Sequence, residues 1–206
     1  MPRGGIRRLL VGTAAALLST ATLCAPAYAI DPWDVVPPLP HNPFAAHPHP
    51  YVNAFADPAW LPARTDMGVD WLPKHRLPVT AIGDAVILGS DSHNTVWPGQ
   101  HIIWYQLLDG SHAGNVIYVS EHLTNLAPTG KFVAAGQKIA VALPGSPYTE
   151  WGWANGIGGP LASPCYHEGW KTRIGKEMAR FMRELGATTR DAPGRGPDGP
   201  LGGHCV

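Results

Sequence analysis

Cysteine and histidine are weighed first, because thiolates and imidazoles carry most nucleophilic and metal chemistry. The chain has three cysteines, Cys24, Cys165 and Cys205. Cys165 follows Pro164 and has no C-x-x-C partner. His204 adjoins Cys205, but adjacent residues seldom hold one ion together. Thiol catalysis and Cys/His metal binding therefore fit poorly. A Cys165–Cys205 disulfide fits an exported chain, and a loop of this size contributes roughly 4 kcal/mol in the chain-entropy account. His41, His47 and His49 include a His-Pro-His-Pro repeat. It reads either as a metal site or, more simply, as solvated loop histidines.

Export is the expectation from the first thirty residues. Arg3, Arg7 and Arg8 precede the apolar run Leu9 to Leu18, and Ala27-Tyr28-Ala29 is an A-x-A cleavage site that leaves Ile30 first. The apolar run is shorter than the ~20 residues of a bilayer span, and Leu23 before Cys24 is a poor lipobox. No transmembrane segment is expected in the mature chain, which places it outside the cell or in the envelope. Three of the 15 basic residues fall in that signal and no acid precedes Asp31, leaving 12 basic against 15 acidic. A mildly negative chain argues against nucleic acid, which needs a basic stripe to displace counterions.

The elements that must position any site follow from the pattern. Residues 30–62 are proline-rich, which blocks helix and interior strand. Trp33, Phe44, Tyr51, Phe55 and Trp60 give that arm more aromatic surface than a spacer needs. From Met67 onward the signal is strands and turns. Leu77 to Leu88 is broken by Gly83-Asp84, read as a hairpin turn. His101 to Leu108 and Asn115 to Val119 read as antiparallel partners around Asp109-Gly110. Ile139 to Leu143 and Glu150 to Ala154 follow. Short strands at about ten-residue spacing indicate a mainly β fold, a small sandwich or barrel. Trp170, Ile174, Met178, Phe181, Met182 and Leu185 make an apolar stripe at three- and four-residue steps. This is one C-terminal amphipathic α-helix, stopped by Gly186. The expected organisation is signal 1–29, arm 30–62, β domain 63–158, helical segment 159–186 and Gly/Pro-rich tail 187–206.

Residues 64–154 resemble the lysostaphin-type (LytM, duplicated hybrid motif) peptidoglycan endopeptidase domain. Gly68-Val69-Asp70 is similar to its H-x-G-x-D segment. Pro78 to Val86 is similar to pV-x-A-x-x-dG-x-V. Tyr118 through His122-Leu123, Gly130 and Val133 to Ala140 are similar to Y-x-HL…G-x-x-V-x-x-G-x-x-I-G. Glu150-Trp151-Gly152-Trp153 stands where the family has H-x-H and an aromatic. The resemblance implies a small β fold of that peptidase type, here with broken chemistry. The family's zinc ligands fall on Asp66, Asp70 and Gly152, and the first His of H-x-H on Glu150. The catalytic His of Y-x-HL is His122 by its leucine neighbour, or Glu121 counting back from Gly130.

Glycine offers no ligand, whereas hydrolytic zinc sites use three protein ligands and an open position. The resemblance therefore implies a degenerate peptidase and no cofactor. Three converging carboxylates would still repel without a cation. Arg64, on the same side of an extended segment as Asp66, would supply its guanidinium to Asp70 or Glu150. Otherwise a hard ion, Ca²⁺ or Mg²⁺, would sit there, or the acids are simply solvated. The leading function is a secreted binding or structural module for peptidoglycan or another envelope glycan or peptide, with Trp104, Tyr105, Trp151 and Trp153 as candidate groove aromatics. The alternative is an active Zn²⁺ endopeptidase using Asp66, Asp70, His122 and Glu150. A weaker one is an inhibitor working through its arm. The export reading has a direct test: N-terminal sequencing of secreted protein should begin at Ile30, and non-reducing peptide mapping should recover Cys165 and Cys205 in one linked species. A start at Met1, or two free thiols, would remove these elements.

Overall fold

The structure, a computed structural model, describes residues 37–145, 148–168 and 170–190. The export signal, residues 191–206 of the tail and the Cys165–Cys205 pairing lie outside the described residues. Those residues form β1 (Trp60–Thr65), β2 (Val69–Pro73), β3 (Leu77–Thr80), β4 (Ala85–Asp91), β5 (Ile102–Leu107), β6 (Val116–Glu121), β7 (Leu123–Thr124), β8 (Phe132–Val133), β9 (Lys138–Ala142), β10 (Thr149–Ala154) and α1 (Arg173–Glu184). The fold is mainly β with one C-terminal helix, as the strand and helix periodicities indicate.

Two antiparallel sheets share one apolar core. The larger has the order β1-β2-β10-β6-β5-β4-β8 and the smaller β3-β9-β7. The expected partnership of β5 with β6 is present, with Trp104 opposite Tyr118. Pro62 is tolerated because β1 is an edge strand. The Gly83-Asp84 hairpin is corrected. β3 pairs with β9 while β4 pairs with β5 and β8, so the turn carries the chain from one sheet to the other. Asp84 holds that crossing. Its buried carboxylate accepts the backbone N–H of His49 and of Ala135, each at 2.9 Å.

The last strand by sequence lies inside the larger sheet, between β2 and β6. Side chains alternate across a strand, so β10 offers Glu150 and Gly152 to one face and Trp151 and Trp153 to the other. The tryptophan face is covered twice. Phe55 of the arm stacks on Trp71 at 3.9 Å and meets Trp151 edge-on at 4.7 Å. Phe181 of α1 stacks against Trp153 at 5.4 Å. Ile174, Met178, Phe181 and Met182 bury the expected stripe. Trp170 lies before the helix, because Thr172 caps it: the Thr172 side chain accepts from the Gly175 N–H at 2.9 Å. Gly186, at φ +89°, follows the last turn.

The proline-rich arm is thus bound by its aromatics and by backbone. Val52 N–H donates to the Ile82 carbonyl at 2.8 Å, and the Gln106 amide to the Pro37 carbonyl at 2.7 Å. If the arm is part of the core, Phe55→Ala should cost about 3–5 kcal/mol in denaturant melts, as for a buried phenylalanine. A loss under ~1 kcal/mol would make the arm a loose appendage.

Candidate functional site

Strand register assembles the polar face. Asp70 of β2 and Ser120 of β6 flank Glu150 of β10, and Tyr118 stands opposite Gly152. Asp66 lies in the turn between β1 and β2, and α1 fixes that turn. The Thr172 N–H and hydroxyl both donate to the Asp66 carbonyl at 2.9 Å. Gly175 permits the approach, since a Cβ there would lie 2.1 Å from the same carbonyl oxygen. The Asp66 carboxylate accepts the Met67 N–H at 2.6 Å.

Asp66, Asp70 and Glu150 are all buried, and each brings a carboxyl oxygen within 4.8 Å of the others. Arg64 sits at the register shift of β1 between Pro62 and Thr65. Its Nε lies 2.5 Å from Asp70 Oδ2 and 3.1 Å from Asp66 Oδ2, and its Nη1 2.8 Å from Glu168 Oε1. The guanidinium therefore reaches the acids expected to need a cation. It does so through one nitrogen shared by two aspartates, not as a fork on Asp70 or Glu150. Glu150 is served instead by the Tyr118 hydroxyl, which donates to its Oε1. The Tyr166 hydroxyl donates to Glu168 Oε2 at 2.7 Å.

The charge state follows from burial. Burial first, and the Asp66 charge second, push Asp70 up to about 7. Burial, then Asp70 and Asp66, hold Glu150 well above the usual carboxylate range. Burial, then Asp70, push Glu121 up to about 8. Asp66 is raised by burial against the pull of Arg64. Glu168 is lowered by its Tyr166 hydrogen bond and by Arg64. Burial works against the charge of Arg64 but is outweighed by Asp66 and Asp70, so its pKa rises. The cluster holds a charged guanidinium, and the shift of Glu150 favours its protonated form, which can hydrogen-bond to Asp70.

These residues do not fit zinc. Gly152 has no ligand atom, and a Cβ there would lie 2.4 Å from Tyr118 Cε1, so the tyrosine ring fills the space a ligand would need. His122, the expected catalytic candidate, is placed apart from the three acids. β6 ends at Glu121, whose φ of +82° breaks the strand's alternation, and β7 joins the other sheet. Glu121 lines the same cavity as Arg64 and Glu150, whereas the imidazole of His122 is outside the group formed by the three acids. Tyr105 and Trp151 are fully buried and Trp153 is nearly so. They are core side chains, because alternation turns them away from the open face. Of the four expected groove aromatics, Trp104 remains, with Nε1 donating to the Gly156 carbonyl at 3.2 Å.

The open face carries a cavity of about 420 Å³, with Arg64, Glu121, Glu150 and Glu168 on its polar side and Val96, Trp97 and Pro160 on its apolar side. A second cavity of about 300 Å³ shares Val96, Trp97 and Pro160 and includes Trp104. Sequence reasoning missed Trp97, Tyr166 and Glu168. Glu168 is 104 positions from Arg64 and carries no local signal.

No protein-family profile matches the chain, and no curated protein sequence does. Among solved structures it is similar to a zinc-containing peptidase from Vibrio cholerae, at 16% identity and a TM-score of 0.42, over 52% of this chain and 37% of that one. It is also similar to lysostaphin, solved in solution by NMR, at 17% identity and a TM-score of 0.46, over 72% of this chain and 62% of that one. The chain spans less than two thirds of the length of either.

The raised carboxyl pKa values set the pH response. Unfolded carboxyls titrate near about 4, so between there and about 8 the folded state binds more protons than the unfolded. Stability from these groups is present below about pH 4 and is lost as pH rises through 7 to 8. Melting temperature should fall by several degrees between about pH 5 and 8.5. Arg64→Ala should deepen that fall, costing about 3–5 kcal/mol at pH 8 and less at pH 5, where protons replace the lost cation. Arg64→Met with Asp70→Asn should recover part of it. A pH-independent cost below ~1 kcal/mol would mean the acids are merely solvated.

Proposed function

We propose that the chain is a secreted, catalytically inactive relative of lysostaphin-type endopeptidases, acting as a binding module for peptidoglycan or a related envelope glycan or peptide. The observation that carries this reading is the Arg64 side chain. Its Nε stands 2.5 and 3.1 Å from Asp70 and Asp66, so a fixed side-chain charge takes the role a metal ion would have among those acids. A guanidinium has no exchangeable position for water and cannot generate a bound hydroxide, the step by which such metals supply a nucleophile. The Tyr118 ring over Gly152 supports the same reading. The open cavity beside the cluster remains lined by polar and apolar groups suited to hold a ligand.

The rival reading, a metallo-endopeptidase with ligands from Asp66, Asp70, His122 and Glu150, needs His122 to cross from outside the acidic group. It also needs Glu150 to give up its tyrosine. The test uses purified mature chain and isolated peptidoglycan sacculi. The expected result is co-sedimentation with sacculi, substoichiometric zinc by elemental analysis, and no release of new amino groups. Chelator-sensitive release, or one zinc per chain, would overturn the inactive assignment.

A further inference from the structure

Glu121 carries a buried carboxylate oxygen that no group among the described residues satisfies. It is 6% exposed, it lines the 420 Å³ cavity, and its Oε2 is buried without a hydrogen-bond partner. Several donors around it point elsewhere. Arg64 spends Nε on Asp66 and Asp70 and Nη1 on Glu168, Tyr118 donates to Glu150, and Tyr166 to Glu168. Its backbone, at φ +82°, is in the left-handed region. A non-glycine residue stays there only where its surroundings compel it, a pattern concentrated at ligand-binding sites. A ligand in the cavity can supply the donor that Glu121 Oε2 lacks among the described residues.

We propose that this cavity binds its ligand through an alkylammonium group seated on the Glu121 carboxylate, with the alkyl stem along Trp97 and Met67. The inference rests on the reading of the cavity as a binding site and names the chemistry it selects. Charge selects a cation over a neutral donor: Glu121 shares the surroundings of a single guanidinium with Asp66, Asp70 and Glu168, and an ammonium beside it favours its ionised form. Carboxylates line one side of the cavity, and its other, apolar side favours an organic cation over a bare metal ion. Trp97, Met67 and Pro160 offer no oxygen ligands from their side chains, whereas Ca²⁺ takes six to eight. An aromatic face with a carboxylate beside it suits an ammonium on an apolar stem.

The experiment is an NMR titration of the full mature chain with Nα-acetyl-lysine amide and, separately, with its Nε-acetylated form, which keeps the stem and removes the charge. The expected result is saturable binding of the first, with shifts at the Trp97 indole and the Glu121 amide, and affinity weaker by roughly tenfold or more for the second. Glu121→Gln should weaken the lysine compound by a similar factor and leave the melting temperature unlowered. Equal binding of the two compounds to the wild type would overturn the proposal without any variant. So would undiminished binding to a folded Glu121→Gln protein, or saturation of the same resonances by CaCl₂ alone. Sacculus co-sedimentation separates this inference from the reading beneath it. Wild type that pellets with sacculi yet ignores the lysine compound refutes the ammonium site alone, and wild type that does neither refutes both.

Discussion

The polar face of the larger sheet depends on one guanidinium held between two buried carboxylates. Asp66, Asp70 and Glu150 come together because strand register and the helix cap place them there, and nothing in the backbone separates them again. Like charges at that separation in a poor dielectric raise one another's pKa and favour opening the fold. Arg64 changes the balance from inside the chain, at 2.5 Å from Asp70 and 3.1 Å from Asp66. The remaining repulsion falls on Glu150, whose pKa is raised by burial and by Asp70 and Asp66 and whose Oε1 accepts from the Tyr118 hydroxyl. The guanidinium offsets part of the negative charge, and the raised carboxyl pKa values show where the rest is felt. Breaking a buried pair from one side generally costs more than making it contributes, which is why so much local geometry converges on Arg64.

One strand connects this cluster to the rest of the fold. β10 presents Glu150 and Gly152 to the acids and Trp151 and Trp153 to the arm and helix. Packing on the back face thus sets the height and register of the polar front. The helix acts a second time at its start, where Thr172 grips the Asp66 carbonyl. Arm, helix and cluster are parts of one mechanical unit, although they come from distant stretches of sequence.

What was legible in the sequence was local. The β5–β6 pair, the helical stripe and the end of the helix at Gly186 follow from period, turn residues and capping, and each is present. The convergence of Arg64, Asp66 and Asp70 was legible through motif resemblance and two-residue spacing. What was not legible depends on which face of a strand becomes covered. Tyr105 and Trp151 have the composition of a groove but the parity of a core, and alternation alone does not say which side the arm will occupy. Gly83-Asp84 has hairpin chemistry, yet the partner strands are chosen by long-range pairing, so the turn crosses between sheets. Glu121 rather than His122 reaches the cavity because the strand's parity breaks at a positive φ. A string of residue types contains no sign of that break.

The contact between Gly152 and the Tyr118 ring has a further meaning as a lock in sequence space. A side chain introduced at Gly152 alone meets the ring, with its Cβ 2.4 Å from Tyr118 Cε1. Trimming Tyr118 alone leaves the buried Glu150 without its donor. Replacing Arg64 alone strands two aspartates. Each of these single changes passes through a less stable protein, so the three positions are constrained to change together. In the neighbourhood of this sequence the polar face is locked by mutual dependence, and new variation is channelled to the cavity rim instead.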